Sequence, residues 1–191
     1  MSSGKALFVS SAYSSHNRVR LIRGGSEYFS MLHELIDKAQ HSVHLQTYIF
    51  EEDETGKQVA AALIKAAQRG VKVYLLLDGY ASQHLSKEFI HQLKTSGVFF
   101  RWFEPVFRSP YFYFGRRLHH KLVVTDALHS LVGGVNISNR YNDMKGEKAW
   151  LDWALYSEGE VSAELFNLCV DFWNKSGWGK KKNQVLNEDA T

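Results

Sequence analysis

At 191 residues, 45% apolar and 23% charged, the chain has the composition of one globular domain with a sizeable core and is too short for two. A net charge of +3 is too small to predict nucleic-acid binding from the total, and one cysteine excludes an internal disulfide, which makes a reducing compartment the default. No apolar run approaches the roughly 20 residues a membrane span needs, and no signal-peptide pattern opens the chain, so any meeting with a membrane is expected at its surface.

Residues 1–17 are small and polar without periodicity and predict a flexible arm. Arg18–Arg23 reads as a short strand broken by Gly24-Gly25. Ser26 is placed to cap a helix over 27–40, with Phe29, Leu32, Ile36 and Ala39 at helical spacing. A strand follows over Ser42–Phe50, with Val43, Leu45, Thr47 and Ile49 on one face. The acidic corner Glu51–Glu54 leads into a helix over 55–69, with Val59, Leu63, Ile64 and Ala67 as its buried stripe and Gly70 at its C-cap. Val71–Leu77 is a strongly apolar strand. Ser86 caps a helix to about Thr95, and Gly97 ends it before a strand over Val98–Phe103. This alternation predicts a single α/β/α sandwich domain over 18–176 with a mixed, largely parallel central sheet.

The rhythm breaks at 106–117, where aromatics alternate with Arg108, Arg116 and Arg117. No acidic residue lies between Glu104 and Asp126, so basic charge gathers here, favouring an anionic substrate or surface. The loop suits three roles: packing against a partner subunit, contact with anionic headgroups, or stacking of single-stranded bases. Two short strands, a polar loop over 139–149, a strand over Trp150–Tyr156 and an amphipathic helix from Glu160 to about Asn174 complete the domain. Cys169 on that helix reads as a small buried hydrophobe. Residues 177–191 read as a solvated tail.

The residues with the most chemistry are His119, Lys121, Asp126, Gly133, Gly134 and Asn136. Side chains at i and i+2 share a strand face, so His119 and Lys121 point together and His120 points away, which makes His120 structural. An imidazole beside an ammonium, with an amide nearby, is equipped to hold a phosphate and attack it. His33-Glu34 does not complete a zinc-protease motif, because Asp37 stands where the second histidine belongs. There is no Cys/His cluster at zinc spacing, no nucleophile elbow and no phosphate-cradling glycine loop, so no metal or cofactor is expected.

The spacing H-x-K-x4-D-x6-G-G-x-N resembles the signature of the phospholipase D superfamily, six specified positions at fixed spacing. Arg23-Gly24-Gly25, Tyr48-Ile49-Phe50, Asp53, Arg69-Gly70-Val71, Leu77-Asp78-Gly79 and Trp150-Leu151-Asp152 extend the likeness over most of the chain. They resemble the N-terminal half of soluble bacterial cardiolipin synthases. One departure stands out: many members carry Gly-Ser where this chain has Gly133-Gly134.

The resemblance implies a phospholipase D-like fold and a phosphatidyl transferase acting on anionic phospholipid such as phosphatidylglycerol, peripheral to the cytoplasmic side of the bacterial membrane. It implies His119 as a nucleophile forming a phosphohistidine, with Lys121 and Asn136 on the non-bridging oxygens. It implies Asp152, with Glu147 as fallback, as the carboxylate on the far ring nitrogen, and Asp126 as a brace for its turn. Gly133 and Gly134 would line the substrate site, with Arg116 and Arg117 beside it. In the family two motifs build one active site, whereas this chain has one copy, so a second half is expected from a longer chain or a homodimer. Two alternatives stay open. One is a phosphodiesterase or nuclease active as a homodimer, with nucleic acid as substrate; the other is a non-catalytic half.

Overall fold

Apolar residues three and four apart give α1 (Ser26–Lys38) a buried stripe of Phe29, Leu32 and Ile36, and give α2 (Glu54–Gln68) one of Val59, Leu63 and Ala66. The computed structural model describes residues 14–104 and 117–175. Among these, seven strands form one sheet: β1 (Asn17–Arg23), β2 (Ser42–Thr47), β3 (Lys72–Asp78), β4 (Phe99–Phe103), β5 (Lys121–Thr125), β6 (His129–Gly133) and β7 (Trp153–Gly159). Their order is β1-β7-β6-β5-β2-β3-β4. α1, α2 and α3 (Lys87–Thr95) bury one face around Val43, Leu45, Val73, Leu75, Val123 and Leu131. α4 (Glu160–Lys175) covers part of the other, with Cys169 buried against Leu122 and Val124 and Trp173 against Leu76 and Phe103. The α/β/α sandwich is therefore present, and Cys169 is the buried hydrophobe its neighbours suggested.

The sheet is mixed, but the expectation of largely parallel pairing is corrected. Only β2–β3 and β3–β4 pair in parallel; β1–β7, β7–β6, β6–β5 and β5–β2 are antiparallel. A parallel pair needs a crossover of a dozen or more residues, and the two parallel pairs are the ones joined through α2 and α3. β5 and β6 are joined by three residues, Asp126 to Leu128, which permits only an antiparallel hairpin.

Three boundaries also differ. Ser26 does not cap α1 with its own side chain. Gly25, at φ 83, holds the cap position, and the Ser26 N–H and hydroxyl both donate to Asp143 Oδ2, at 2.8 and 3.0 Å. The cap comes from a carboxylate more than 100 residues away, which no local pattern reveals. β1 begins at Asn17, inside the stretch expected to be an arm. β7 starts at Trp153 and not at Trp150, because the Trp150 N–H is spent on the Arg140 carbonyl at 2.8 Å. Ser86 caps α3 as expected, through the Phe89 N–H at 3.1 Å. Residues 1–13, most of the aromatic–arginine loop with Arg116, and the tail over 177–191 lie outside the described residues. No helix among the described residues is long and apolar enough to cross a membrane.

Candidate functional site

The motif sits where β5 begins and β2 ends. Thr47, the last residue of β2, pairs with Lys121, the first of β5. Beyond β2 the backbone of Ile49 and Glu51 continues to pair with Ile137, at 3.0–3.1 Å. The site therefore lies at the carboxyl end of the parallel strands, where open α/β sheets place ligands.

His119 precedes the strand, so its neighbourhood to Lys121 follows from the approach of the chain and not from strand pleating. The outcome is the expected one: the Lys121 ammonium lies 3.2 Å from each His119 ring nitrogen and 3.1 Å from the His119 carbonyl. At that distance it donates to whichever ring nitrogen carries the lone pair. Lys121 is buried while His119 is exposed, so the imidazole is the accessible member of the pair. Burial pulls the Lys121 pKa below its ordinary value, and the Asp152 carboxylate pulls it the other way.

His120 turns to the opposite side. Its Nδ1 is 3.2 Å from Gln46 Oε1, and its ring meets Phe172 of α4 at 4.5 Å. The Gln46 amide nitrogen already donates to the Cys169 carbonyl at 2.9 Å, which assigns the Nδ1 proton to His120. Burial first, then Lys121 and His119, lower its pKa. His120 thus ties the entry to β5 to Gln46 of β2 and packs it against Phe172 of α4.

Asn136 is buried, and its Oδ1 accepts the Ile49 N–H at 3.0 Å, which leaves the amide NH2 as its donor. Gly133 and Gly134 are required by close approach. A Cβ at Gly133 would stand 2.6 Å from Ala154 Cα, a backbone atom that cannot yield. A Cβ at Gly134 would meet the Asp152 carboxyl group, with Cγ at 2.5 Å. This explains the second glycine in place of a serine: Asp152 occupies the space.

Asp152 holds its own position through the Trp153 N–H at 2.8 Å, and the Gly24 N–H donates to its carbonyl at 2.8 Å. Among the described hydrogen bonds it does not reach His119; it acts on the site through Lys121. Glu147 is exposed in a turn paired with Met144. Asp126 sits just past the far end of β5, five residues and about 17 Å from Lys121 at roughly 3.3 Å per residue. Its carboxylate accepts the N–H groups of Gln40, His41 and Ser42 at 2.8–2.9 Å. It does brace, as expected, but what it braces is the distant α1–β2 junction and not its own turn. The Arg117 guanidinium lies over the Tyr80 ring at 4.9 Å.

Two residues without a sequence-derived role belong here. The Tyr48 ring lies 5.2 Å from the Lys121 ammonium and 4.9 Å from the His119 ring, and its carbonyl is held by the Ser82 hydroxyl at 2.9 Å. Asp78 is fully buried and accepts from Leu118, Tyr80 and Ala81 N–H at 2.8–3.0 Å, which fixes the approach to His119. Their position at carboxyl ends of adjacent parallel strands was the available signal. Among the described residues no group of three or more His, Cys, Asp or Glu side chains is placed to hold a metal ion.

Residues 32–165 match the family model described as cardiolipin synthase, PLD-like domain. The chain is 40% identical over 155 residues to cardiolipin synthase B of Shigella flexneri, covering 78% of this chain and 37% of that protein. It is 36% identical over 157 residues to a cardiolipin synthase of a Geobacillus strain, covering 81% and 31%. The chain thus spans well under half the length of these relatives. Its fold is similar to that of Nuc, a phospholipase D family member from Salmonella typhimurium, with a TM-score of 0.64, 19% identity, and coverage of 86% of this chain and 99% of that one. It is also similar to phosphatidylserine synthase of Haemophilus influenzae, with a TM-score of 0.65, 21% identity, and coverage of 78% and 35%. With 134 matched positions carrying the His119–Lys121 corner, the chain belongs to the phospholipase D-like family of the cardiolipin synthase type.

Proposed function

We propose that this chain supplies one half of a phosphatidyl-transfer site that works on anionic phospholipid at the cytoplasmic membrane surface. The observation that carries the reading is the Lys121 ammonium held 3.2 Å from both nitrogens of an exposed His119. In the proposed first step a ring nitrogen of His119 bonds to the phosphorus of a lipid such as phosphatidylglycerol. The glycerol oxygen leaves, taking a proton from an acid on the second half. In the second step an alcohol of another lipid attacks the phosphohistidine, returns its proton to that group and frees His119. Lys121 and the Asn136 amide offset the charge on the non-bridging oxygens. Asp152 stabilises the Lys121 ammonium against its own burial, and Arg117 with Arg116 draws the headgroup in. The names of the relatives, cardiolipin synthases, support the substrate class.

The test is a parallel assay of the purified chain on phosphatidylglycerol vesicles and on single-stranded DNA, with chelator present. Lipid product, with an acid-labile phosphate on the protein that His119→Ala removes, is the expected result. Cleavage of DNA without lipid turnover would favour the second reading, a phosphodiesterase built from two single-motif chains. Substantial turnover by a folded His119→Ala variant refutes the nucleophile assignment.

A further inference from the structure

β3 ends at Asp78, whose side chain builds the turn that follows: Oδ1 accepts the Tyr80 and Ala81 N–H groups, both at 3.0 Å. A turn of this kind occupies one carboxylate oxygen. The other, Oδ2, takes the Leu118 N–H at 2.8 Å, 40 residues further along the chain. Asp78 is fully buried, so both oxygens need donors, and a carboxylate offers two acceptor atoms where an amide offers one. Leu118 is itself buried among Leu76, Phe103 and Trp173, so the segment entering His119 is held by backbone and side chain alike.

Ser82, 1% exposed in the same loop, serves the other side of the corner. Its hydroxyl donates to the Tyr48 carbonyl and accepts the Phe50 N–H, both at 2.9 Å. β2 pairs with β3 only as far as Thr47 and Leu77, so Ser82 supplies to the chain beyond them bonds that the strand ladder no longer gives. The loop has little freedom of its own. The Gly79 N–H donates to the Phe103 carbonyl at 2.8 Å, and the Ser82 N–H to the Asp78 carbonyl at 3.1 Å. Between the two buried anchors Tyr80 is 44% exposed, with the Arg117 guanidinium over its ring at 4.9 Å.

We propose that the Asp78–Ser82 loop is the positioning element of the His119 corner. Asp78 and Ser82 are buried and act through others: the first sets where His119 arrives, the second where Tyr48 stands. One loop thereby places both rings that flank the Lys121 ammonium, the imidazole at 3.2 Å and the phenol ring at 5.2 Å. Tyr80 holds the Arg117 guanidinium ready for the substrate anion. The part played toward substrate rests on the proposed function; the placement of the two rings does not.

Two readouts test the proposal. Nitrogen NMR of the isotopically labelled full chain reads the His119 ring nitrogens, identified by their loss in His119→Ala, without any substrate. Turnover of phosphatidylglycerol vesicles separates kcat from KM. Ser82→Ala and Asp78→Asn are each expected to shift the His119 ring resonances and to lower kcat roughly 10- to 100-fold, with KM within about twofold of the parent. Tyr80→Leu is expected to raise KM by about 2- to 5-fold, and Tyr80→Phe to restore it. Asp126→Ala, which orphans three N–H groups beyond the other end of β5, controls for lost stability alone. It should melt earlier with the His119 resonances in place. Resonances in Ser82→Ala and Asp78→Asn that match the parent, or move no further than in Asp126→Ala, overturn the proposal, and so does a loss that falls on KM and spares kcat. Should Asp78→Asn fail to fold, Ser82→Ala decides alone. A parent that turns over no lipid counts against the proposed function, and the ring resonances still decide the positioning role.

Discussion

Replacing Gly134 with serine, the residue many family members carry, asks whether the Asp152 carboxylate is the reason for the second glycine. The new Cβ would lie 2.5 Å from Asp152 Cγ, against at least 3.4 Å for ordinary contact, so the carboxyl group must retreat by about 1 Å. Asp152 would then lose its bond from the Trp153 N–H and weaken its hold on the Lys121 charge. Overpacking of this kind costs about 2 kcal/mol, roughly 4–8 °C in melting temperature for a chain of this size. Urea unfolding of Gly134→Ser, Asp152→Gly and the double variant measures it as a double-mutant cycle. The reasoning expects the serine to be tolerated once Asp152 is gone, with an interaction energy of about 1–2 kcal/mol. Additive effects, or a Gly134→Ser variant as stable as the parent, would refute it.

His44 is buried between Tyr74 and Phe166, and desolvation lowers its pKa from 6.5 to about 4. The folded state prefers the neutral ring, so its stability contribution is complete above pH 6.5 and declines as pH falls toward 4, by about 1.4 kcal/mol per unit. Unfolding of the parent and His44→Leu across that window should show the slope flattened in the variant; equal slopes would refute the assignment. Asp126→Ala should lower stability by about 2 kcal/mol by orphaning three N–H groups, yet leave KM for lipid unchanged. A selective rise in KM would put Asp126 in the substrate site. Tyr48→Phe should preserve activity, whereas Tyr48→Leu should lower kcat by about 3- to 30-fold through loss of the cation–π contact with Lys121. Equal losses in both would shift the role to the hydroxyl.

Much of this protein was legible from local pattern. Helical stripes, the cap at Ser86 and the turn glycines depend on neighbours within a few residues, so α2, α3 and β3 emerge close to their true bounds. That His119 points with Lys121 and His120 points away also agrees with the sequence reading, although both histidines precede β5 and the approach of the chain, not strand alternation, sets their directions. Long-range decisions were not legible. Asp143 capping α1, Asp126 holding the α1–β2 junction and Tyr48 lying beside Lys121 each join residues far apart in sequence, and spacing carries no information about such pairs. The antiparallel half of the sheet likewise follows from which strands become neighbours.

Sequence alone determined the chemistry of the corner, since an imidazole, an ammonium and an amide at fixed spacing are properties of residue type and chain step. Only the tertiary structure decided how that corner is supported and where it is open. The Asp152 carboxylate fills the space above Gly134, and α4 covers Ser130 and Ser157 while Leu21, Leu155 and Val132 stay exposed. The physical reason is that steric exclusion and burial are set by what packs against a residue, and packing partners are chosen by the whole fold.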